Sequence, residues 1–311
     1  MRHPEKPRQR RPRLGADERA RLLAEIAKYD TVPPRPATPK SDIAAVTAAE
    51  QAARTALIGA GTDQSTLPRV VDVWSNLLTI PVDPRILARN LVITASREDP
   101  AHAAFDVLRT RLVQALAEHG WRRVGITSPT RDCGKTFTAV NLAITLSRYD
   151  NCRTVLMDMD LRNPTLARRI GASAPQPMGD YLCGQIPTEA FLRRMAPNNL
   201  HIGGNLAFGL NGRVEPYAAE LFQQQSTMDV LERLQDETEA DVMLFDLPPA
   251  LAQDDVIAFR PHFDCILMVV GGGITKASDV RESIRRLGED KPVIGIVLNK
   301  AEGEGVDDYR Y

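Results

Sequence analysis

The stretch "SPTRDCGKTFTAVNLA", residues 128–143, follows a short apolar run and continues into a segment with helical spacing of apolar residues. Proteins bind a phosphate chain with backbone N–H groups, a helix N-terminus and a cation. Gly134, Lys135 and Thr136 offer these features together, and the hydroxyl of Thr136 suits Mg²⁺. Their position directly after a strand-like run and at the start of a helix predicts a phosphate-binding loop.

Short apolar runs recur along the chain and are separated by stretches with helical spacing. Runs that are apolar throughout indicate strands buried on both faces, which is the pattern of a parallel sheet wrapped in helices. We therefore predict an α/β fold with a mainly parallel β-sheet flanked by helices over residues 91–303. The predicted strands are "RVGIT" 123–127, "TVLMD" 154–158, "DVMLFD" 241–246, "CILMVV" 265–270 and "VIGIVLN" 293–299.

Acidic residues end two of these predicted strands. Asp158 and Asp160 lie in "VLMDMDLRNP", residues 155–164, and Asp246 lies in "VMLFDLPPAL". Two carboxylates at i and i+2 point the same way from an extended backbone, which crowds like charges unless a cation or a proton intervenes. Because ligands of parallel sheets bind beyond the carboxyl ends of the strands, these residues should lie beside the loop. A role as a helix cap or turn former remains the alternative for each aspartate.

Two further polar residues near the strand ends have open roles. Arg162 follows the paired carboxylates and could neutralise charge or pair with a nearby carboxylate. Asn299 ends the last predicted strand, where its amide could contact the base of a nucleotide or hold a turn.

Residues 1–90 form a basic, Pro-containing N-terminal extension that we expect to be partly disordered. Six Lys or Arg residues stand against one Glu in the first 13 residues, which would suit a partner or anionic lipid heads. A second helix is predicted within residues 41–61. A first helix is predicted with one apolar face formed by Leu22, Leu23, Ile26 and Tyr29.

Charge and cysteine content exclude several classes of protein. The net charge of −1 gives the whole chain no strong attraction to nucleic acid, and no nucleic-acid partner is expected. The four cysteines are scattered, which argues against a zinc site or a disulfide framework and suits a reducing cytoplasm. No uncharged apolar run approaches the ~18 residues that a membrane span needs. We therefore predict a cytoplasmic protein.

From about residue 89 to 303 the chain resembles the bacterial tyrosine autokinases of capsule and exopolysaccharide synthesis. These kinases are deviant-Walker P-loop ATPases, as are the partitioning ATPases. The resemblance rests on the loop, on "VLMDMDLRNP" and on "FDLPP", and "VLMDMDLRNP" is the most specific of these motifs. It extends to "MGDYLCGQ", residues 178–185, and "EPYAAELFQQQSTMDVLERL", residues 215–234.

The resemblance implies ATP and Mg²⁺ as cofactors and assigns roles to the residues above. Lys135 would hold the β- and γ-phosphates, and Asp158 would accept the proton of an incoming tyrosine hydroxyl. Thr136 and Asp246 would hold Mg²⁺, with Asp160 as a further ligand and catalytic residue. The predicted nucleotide-binding residues are Thr130, Arg131, Asp132, Cys133, Gly134, Lys135, Thr136, Phe137 and Asn299.

The family's phosphate acceptors are tyrosines clustered at a flexible C-terminus. The tail formed by residues 304–311 ends in "DYRY", so Tyr309 and Tyr311 are the expected acceptors. The tail would bring them to the active site of a neighbouring subunit. The resemblance implies an autokinase that regulates polysaccharide polymerisation or export. Its expected partner is a membrane polysaccharide co-polymerase, a chain-length determinant, which would hold the protein peripherally at the inner membrane. Self-association is also expected.

The chain departs from the family pattern at three places. Arg131-Asp132 stands where the family has Pro-Gly, which restricts the loop backbone and adds a negative charge. The subunit-contact motif Glu-x-x-Arg-x-x-Arg is matched only by Arg109. The lysine of partitioning ATPases would fall at Thr130 and is absent, which counts against that class. The alternatives are a catalytically weak nucleotide-binding scaffold of the same export system, which Arg131-Asp132 favours, or a partitioning-type ATPase without a protein acceptor.

Overall fold

The computed structural model describes residues 16–29, 73–93, 101–149, 151–172, 176–288 and 290–301. Within these residues the strands form one eight-stranded sheet in the order β1-β4-β5-β3-β6-β2-β7-β8. All neighbouring strands run parallel except β4 and β5. The predicted α/β fold with a mainly parallel sheet is confirmed. The strands are β1 Leu78–Ile80, β2 Arg123–Thr127, β3 Thr154–Asp158, β4 Arg193–Met195, β5 Leu206–Gly209, β6 Val242–Asp246, β7 Cys265–Gly271 and β8 Val293–Asn299.

Helices connect and cover the strands. In the part of the chain that the structure describes, no helix is both long and apolar enough to cross a lipid bilayer. The helices are α1 Ala16–Ala27, α2 Val73–Asn76, α3 Pro84–Arg89, α4 Ala101–His119, α5 Lys135–Leu146, α6 Leu166–Ile170, α7 Met178–Leu182, α8 Thr188–Phe191, α9 Ala218–Phe222, α10 Gln225–Thr238, α11 Asp255–Phe259 and α12 Ala277–Leu287.

Both faces of the sheet are covered by apolar cores. In β6, Met243 and Phe245 pack into the core on one face, while Val242 and Leu244 pack into the core on the other. Because successive side chains of a strand point to opposite faces, a strand buried on both faces must be apolar at every position. This explains why the predicted strands are continuous apolar runs.

The strand order brings the predicted motifs together. β6 lies between β2, which leads into the loop, and β3, which carries the paired carboxylates. Asp158 and Asp246 are register partners at the ends of β3 and β6. The carboxyl ends of three adjacent strands therefore place the loop and the acidic residues at one edge of the sheet.

The described part of the N-terminal segment packs on the domain. Residues 73–89, which were predicted to belong to the extension, contribute β1, α2 and α3, and β1 pairs with β4. In α1, Leu22 is buried in a core, and the carboxylate of Glu25 accepts from Arg281 of α12 at 3.0 Å. The predicted apolar face of α1 is wrong at Leu23, which is 46% exposed, whereas Leu22 and Ile26 pack against the core and Glu25 is also buried. The second predicted helix, within residues 41–61, lies outside the described residues.

Candidate active site

The loop between β2 and α5 has the geometry of a phosphate-binding turn. Gly134 precedes α5 with a φ of 97°, in the left-handed region that favours glycine. A Cβ on Gly134 would lie 2.0 Å from Nδ2 of Asn299, so any other residue here requires the Asn299 side chain to move. The first turn of α5 then presents its N-terminal backbone N–H groups at the carboxyl edge of the sheet.

Lys135 and Thr136, the first residues of α5, contact the predicted carboxylates. The Lys135 ammonium lies 2.7 Å from Oδ2 of Asp160 and 3.9 Å from Oδ1 of Asp246. The Thr136 hydroxyl donates to Oδ2 of Asp246 at 2.6 Å. The structure thus brings together four of the predicted site residues from three separate segments of the chain.

Asp158, the register partner of Asp246, has no exposed surface. Its Oδ2 accepts the backbone N–H groups of Thr165 at 3.1 Å and Leu166 at 2.9 Å, at the start of α6. Its Oδ1 is buried and has no hydrogen-bond partner. One oxygen therefore caps a helix, which is the alternative that the sequence left open, while the other oxygen stays available.

The electrostatics of the site follow from burying three carboxylates with one ammonium. Burial, reinforced by the neighbouring charge of Asp246, raises the pKa of Asp158 well above its usual range. Burial also raises the pKa of Asp246. Burial alone would lower the pKa of Lys135, but Asp246 and Asp160 outweigh it and the pKa is raised. The site holds an excess of negative charge that a cation would stabilise.

The donor set fits Mg²⁺ bound together with a nucleotide. Oδ1 of Asp246 is buried without a hydrogen-bond partner, the hydroxyl of Thr136 lies beside Asp246, and Asp160 contacts the same Lys135 ammonium. Among the residues that the structure describes, no group of three or more His, Cys, Asp or Glu side chains forms a metal cluster by itself. Mg²⁺ is usually held by one or two carboxylates, water and substrate phosphates rather than by an all-protein cage.

The remaining loop residues divide between buried and exposed positions. Cys133 is 1% exposed, and its thiol donates to the Thr130 carbonyl at 3.2 Å and lies 3.4 Å from the Thr275 hydroxyl. Arg131 and Asp132 are exposed, and Asp132 has a φ of 67°. Asp132 thus adopts the left-handed turn although it is not glycine.

Phe137 packs away from the loop. Its ring meets that of Phe105 edge-on, with the ring centroids 5.8 Å apart, and so joins α4 to α5. Only its backbone remains at the first turn of α5, and its contact with a nucleotide stays a prediction.

The end of β8 holds the loop from the side. Asn299 donates from Nδ2 to the Cys133 carbonyl at 2.9 Å, and its Oδ1 accepts the backbone N–H of Lys300 at 2.9 Å. The Lys300 ammonium donates to the Asp132 carbonyl at 2.6 Å. These contacts favour the role of Asn299 in holding a turn, and contact with a base stays a prediction. Sequence reasoning missed Lys300, whose only signal was its place after Asn299.

Arg162 pairs with a carboxylate that sequence reasoning did not find. Its Nε lies 2.8 Å from Oδ2 of Asp255 and its Nη2 lies 3.0 Å from Oδ1, a two-pronged contact that favours the pairing alternative. Its Nη1 donates to the Pro216 carbonyl at 2.6 Å. Asp255 stands in no recognisable motif. The predicted acceptors Tyr309 and Tyr311 lie outside the described residues.

Curated proteins resemble the chain in sequence over most of its length. EpsB of Ralstonia nicotianae is 26% identical over 242 residues, which cover 78% of this chain and 30% of EpsB. The tyrosine-protein kinase Etk of Escherichia coli K12 is 29% identical over 203 residues, which cover 65% of this chain and 27% of Etk. The match thus spans about a third or less of the length of these relatives.

A solved structure has the same fold. The kinase domain of the Escherichia coli tyrosine kinase Etk matches with a TM-score of 0.56 and 25% identity, covering 67% of this chain and 79% of that domain. The predicted resemblance to bacterial tyrosine kinases is confirmed. The family model of the CobQ/CobB/MinD/ParA nucleotide binding domain matches residues 124–308, more than half of the chain. The chain therefore belongs to the CobQ/CobB/MinD/ParA nucleotide binding domain family.

Proposed function

We propose that the protein is an ATP-dependent protein-tyrosine autokinase that regulates the polymerisation or export of an exopolysaccharide or capsular polysaccharide. The observation that carries this proposal is the convergence of Lys135, Thr136, Asp160 and Asp246 around one buried point at the carboxyl edge of the sheet. The similarity to named tyrosine-protein kinases supports the choice of tyrosine as acceptor.

The residues would divide the work of phosphoryl transfer as follows. Lys135 binds the β- and γ-phosphates, which compete with Asp160 for its ammonium. Thr136 and Asp246 would hold Mg²⁺, with Asp160 as a further ligand, and the metal would supply charge neutralisation at the phosphates. Positioning and charge neutralisation supply most of the catalysis in this class of reaction.

Asp158 is the proposed proton acceptor. The proton of the tyrosine hydroxyl passes to its unpaired Oδ1 as the tyrosine oxygen bonds to the γ-phosphorus and ADP departs with the electron pair of the broken bond. A raised pKa makes a carboxylate a stronger base when it is ionised, as this step requires. Because Asp158 has no exposed surface, neighbouring side chains must move to admit the hydroxyl.

The acceptors are Tyr309 and Tyr311 of a neighbouring copy, and the protein acts with a membrane co-polymerase at the inner membrane. These proposals rest on the family resemblance and on the two tyrosines in the last three residues of the chain. Transfer between copies requires at least transient self-association.

Purified full-length protein, incubated with Mg-ATP and with or without the cytoplasmic tail of the partner, tests the proposal by phosphotyrosine detection. Label should disappear in Asp158→Ala and in the double variant Tyr309→Phe/Tyr311→Phe. Tyr217→Phe is the matched control, because Tyr217 is 68% exposed and is not a proposed acceptor. Label that persists in the double variant would contradict the assignment of the acceptors.

A nucleotide-binding scaffold with little catalysis is the second candidate. The non-glycine residue at Asp132, held at a φ of 67°, favours it because the loop lacks the freedom of the usual glycine. Mg-ATP binding without hydrolysis or label would support the scaffold. Hydrolysis without label would instead support a partitioning-type ATPase.

A further inference from the structure

The side chains of Asn299 and Lys300, which form a turn, donate hydrogen bonds to two consecutive carbonyl groups of the phosphate-binding loop. Lys300 donates to the Asp132 carbonyl at 2.6 Å, and Asn299 donates to the Cys133 carbonyl at 2.9 Å. The turn is itself fixed to the sheet, because the backbone N–H of Gly272 donates to the Asn299 carbonyl at 2.7 Å. We call residues 299–300 the β8 turn.

These contacts act where the loop backbone is strained. Asp132 has a φ of 67°, a region that L-residues other than Asn and Asp rarely adopt and that glycine adopts freely. A hydrogen bond to its carbonyl stabilises this conformation against the extended and right-handed alternatives. The β8 turn thus acts at the position where the resembled family has a glycine.

The same contacts orient the donors of the loop. In a trans peptide the C=O and N–H groups point in opposite directions. With the Asp132 and Cys133 carbonyls turned toward the β8 turn, the N–H groups of Cys133 and Gly134 point away from it. Backbone N–H groups that share one direction in such a turn form an anion-binding concavity.

We propose that Lys300 is a positioning residue for nucleotide binding, which with Asn299 holds residues 132–134 in the phosphate-binding conformation in place of the missing glycine. This inference rests on the nucleotide-binding part of the proposed function and not on the identity of the phosphate acceptor. Lys300 need not touch the nucleotide.

The buried thiol of Cys133 reports directly on the loop. Cys133 is buried between the Thr130 carbonyl and the Thr275 hydroxyl, whereas Cys183 is exposed. The rate at which N-ethylmaleimide alkylates Cys133, measured by peptide mass spectrometry relative to Cys183 without nucleotide, therefore measures how often the loop opens. Lys300→Met should raise this relative rate about tenfold, and Lys300→Arg should retain most of the protection.

A matched control is Lys291→Met. Lys291 makes the same kind of contact elsewhere, donating to the Phe263 carbonyl at 2.7 Å, so its loss should leave the Cys133 rate unchanged. A Cys133 rate in Lys300→Met equal to that of the wild type would overturn the proposal. So would an equal increase in both lysine variants, which would indicate general loosening. This readout decides the inference even where no phosphotyrosine forms.

A double-mutant cycle separates positioning from a general structural role. Lys300→Met should weaken the binding of Mg-ATP about tenfold in the wild-type chain but only about twofold in Asp132→Gly, because glycine adopts the left-handed turn unaided. Equal losses in both backgrounds would overturn the link between Lys300 and Asp132.

Discussion

Two regions place negative charge near the same site. One is the pair of strand-end carboxylates, and the other is the part of the phosphate-binding loop that contains Asp132. Asp158 and Asp246 are fully buried, belong to strands and are fixed by the register of β3 and β6. Asp132 is exposed and lies on a loop whose conformation depends on contacts from the β8 turn. The carboxylates thus sit on strands of the sheet, while the part of the loop that we propose sets nucleotide affinity is held by a few polar contacts. Substitutions of the carboxylates should accordingly change the rate of autophosphorylation, and substitutions in the loop should change the affinity for Mg-ATP.

The largest effect is expected at Asp158, the proposed general base among the strand-end carboxylates. Asp158→Asn should lower the rate of autophosphorylation by about 10²–10⁴-fold, the usual contribution of a general base, while Mg-ATP binding changes little. Single-turnover labelling measures the rate and calorimetry measures the binding. A variant with normal rate would show that Asp158 serves only as the cap of α6, and the contrast between the regions would fail.

The next largest effect is expected at Gly134, the last loop residue before α5. Gly134→Ala adds a Cβ that would lie 2.0 Å from the Asn299 amide, at a position with a φ of 97°, so we expect Mg-ATP affinity to fall about a hundredfold. Gly120→Ala is the matched control, because Gly120 has a φ of 68° but open space around its Cα. Both substitutions strain the backbone, but only that of Gly134 brings a Cβ against Asn299. Similar losses of Mg-ATP affinity in both variants would therefore contradict the importance of this clash.

A smaller effect, with the opposite sign, is expected in the exposed region. Asp132→Gly should strengthen Mg-ATP binding about tenfold, because glycine adopts the left-handed conformation more freely than aspartate and because the substitution removes a negative charge near the phosphates. Asp132→Asn removes the charge but keeps a residue that tolerates the turn, and it separates the two causes. Weaker binding in Asp132→Gly would show that the aspartate side chain itself supports the loop.

The smallest expected effect is on how the stability of the folded protein depends on pH. Because burial and Asp246 raise the pKa of Asp158, the folded state keeps this proton at pH values where the unfolded chain has lost it. Asp158 therefore lowers stability as the pH rises from about 4 through its folded pKa. Asp158→Asn should melt at a higher temperature than the wild type above that range, and the difference should shrink toward pH ~4.

Melting temperatures recorded by calorimetry across this pH range check the prediction. Asp229→Asn, on an exposed position of α10, controls for the loss of a carboxylate in general. A lower melting temperature for Asp158→Asn at neutral pH would mean that capping by Asp158 outweighs its burial.

Much of the fold could be predicted from sequence because its signals are local. Continuous apolar runs such as residues 154–158 reflect burial on two faces, and Gly134-Lys135-Thr136 follows its strand directly. The buried face of α1 was harder to predict, because Leu22 and Leu23 both fit the helical spacing of apolar residues. Only the packing of α1 on the domain leaves Leu23 exposed.

The sequence by itself determined the class of sheet, the phosphate-binding loop and the acidic strand ends, because each depends on neighbouring residues and on the rule that parallel strands share a carboxyl edge. Tertiary structure alone decided that Lys135 meets Asp160, that Arg162 pairs with Asp255 and that Lys300 supports Asp132, a contact across 168 residues of sequence. Such contacts depend on the order of strands in the sheet, which the spacing of apolar residues along one chain does not encode.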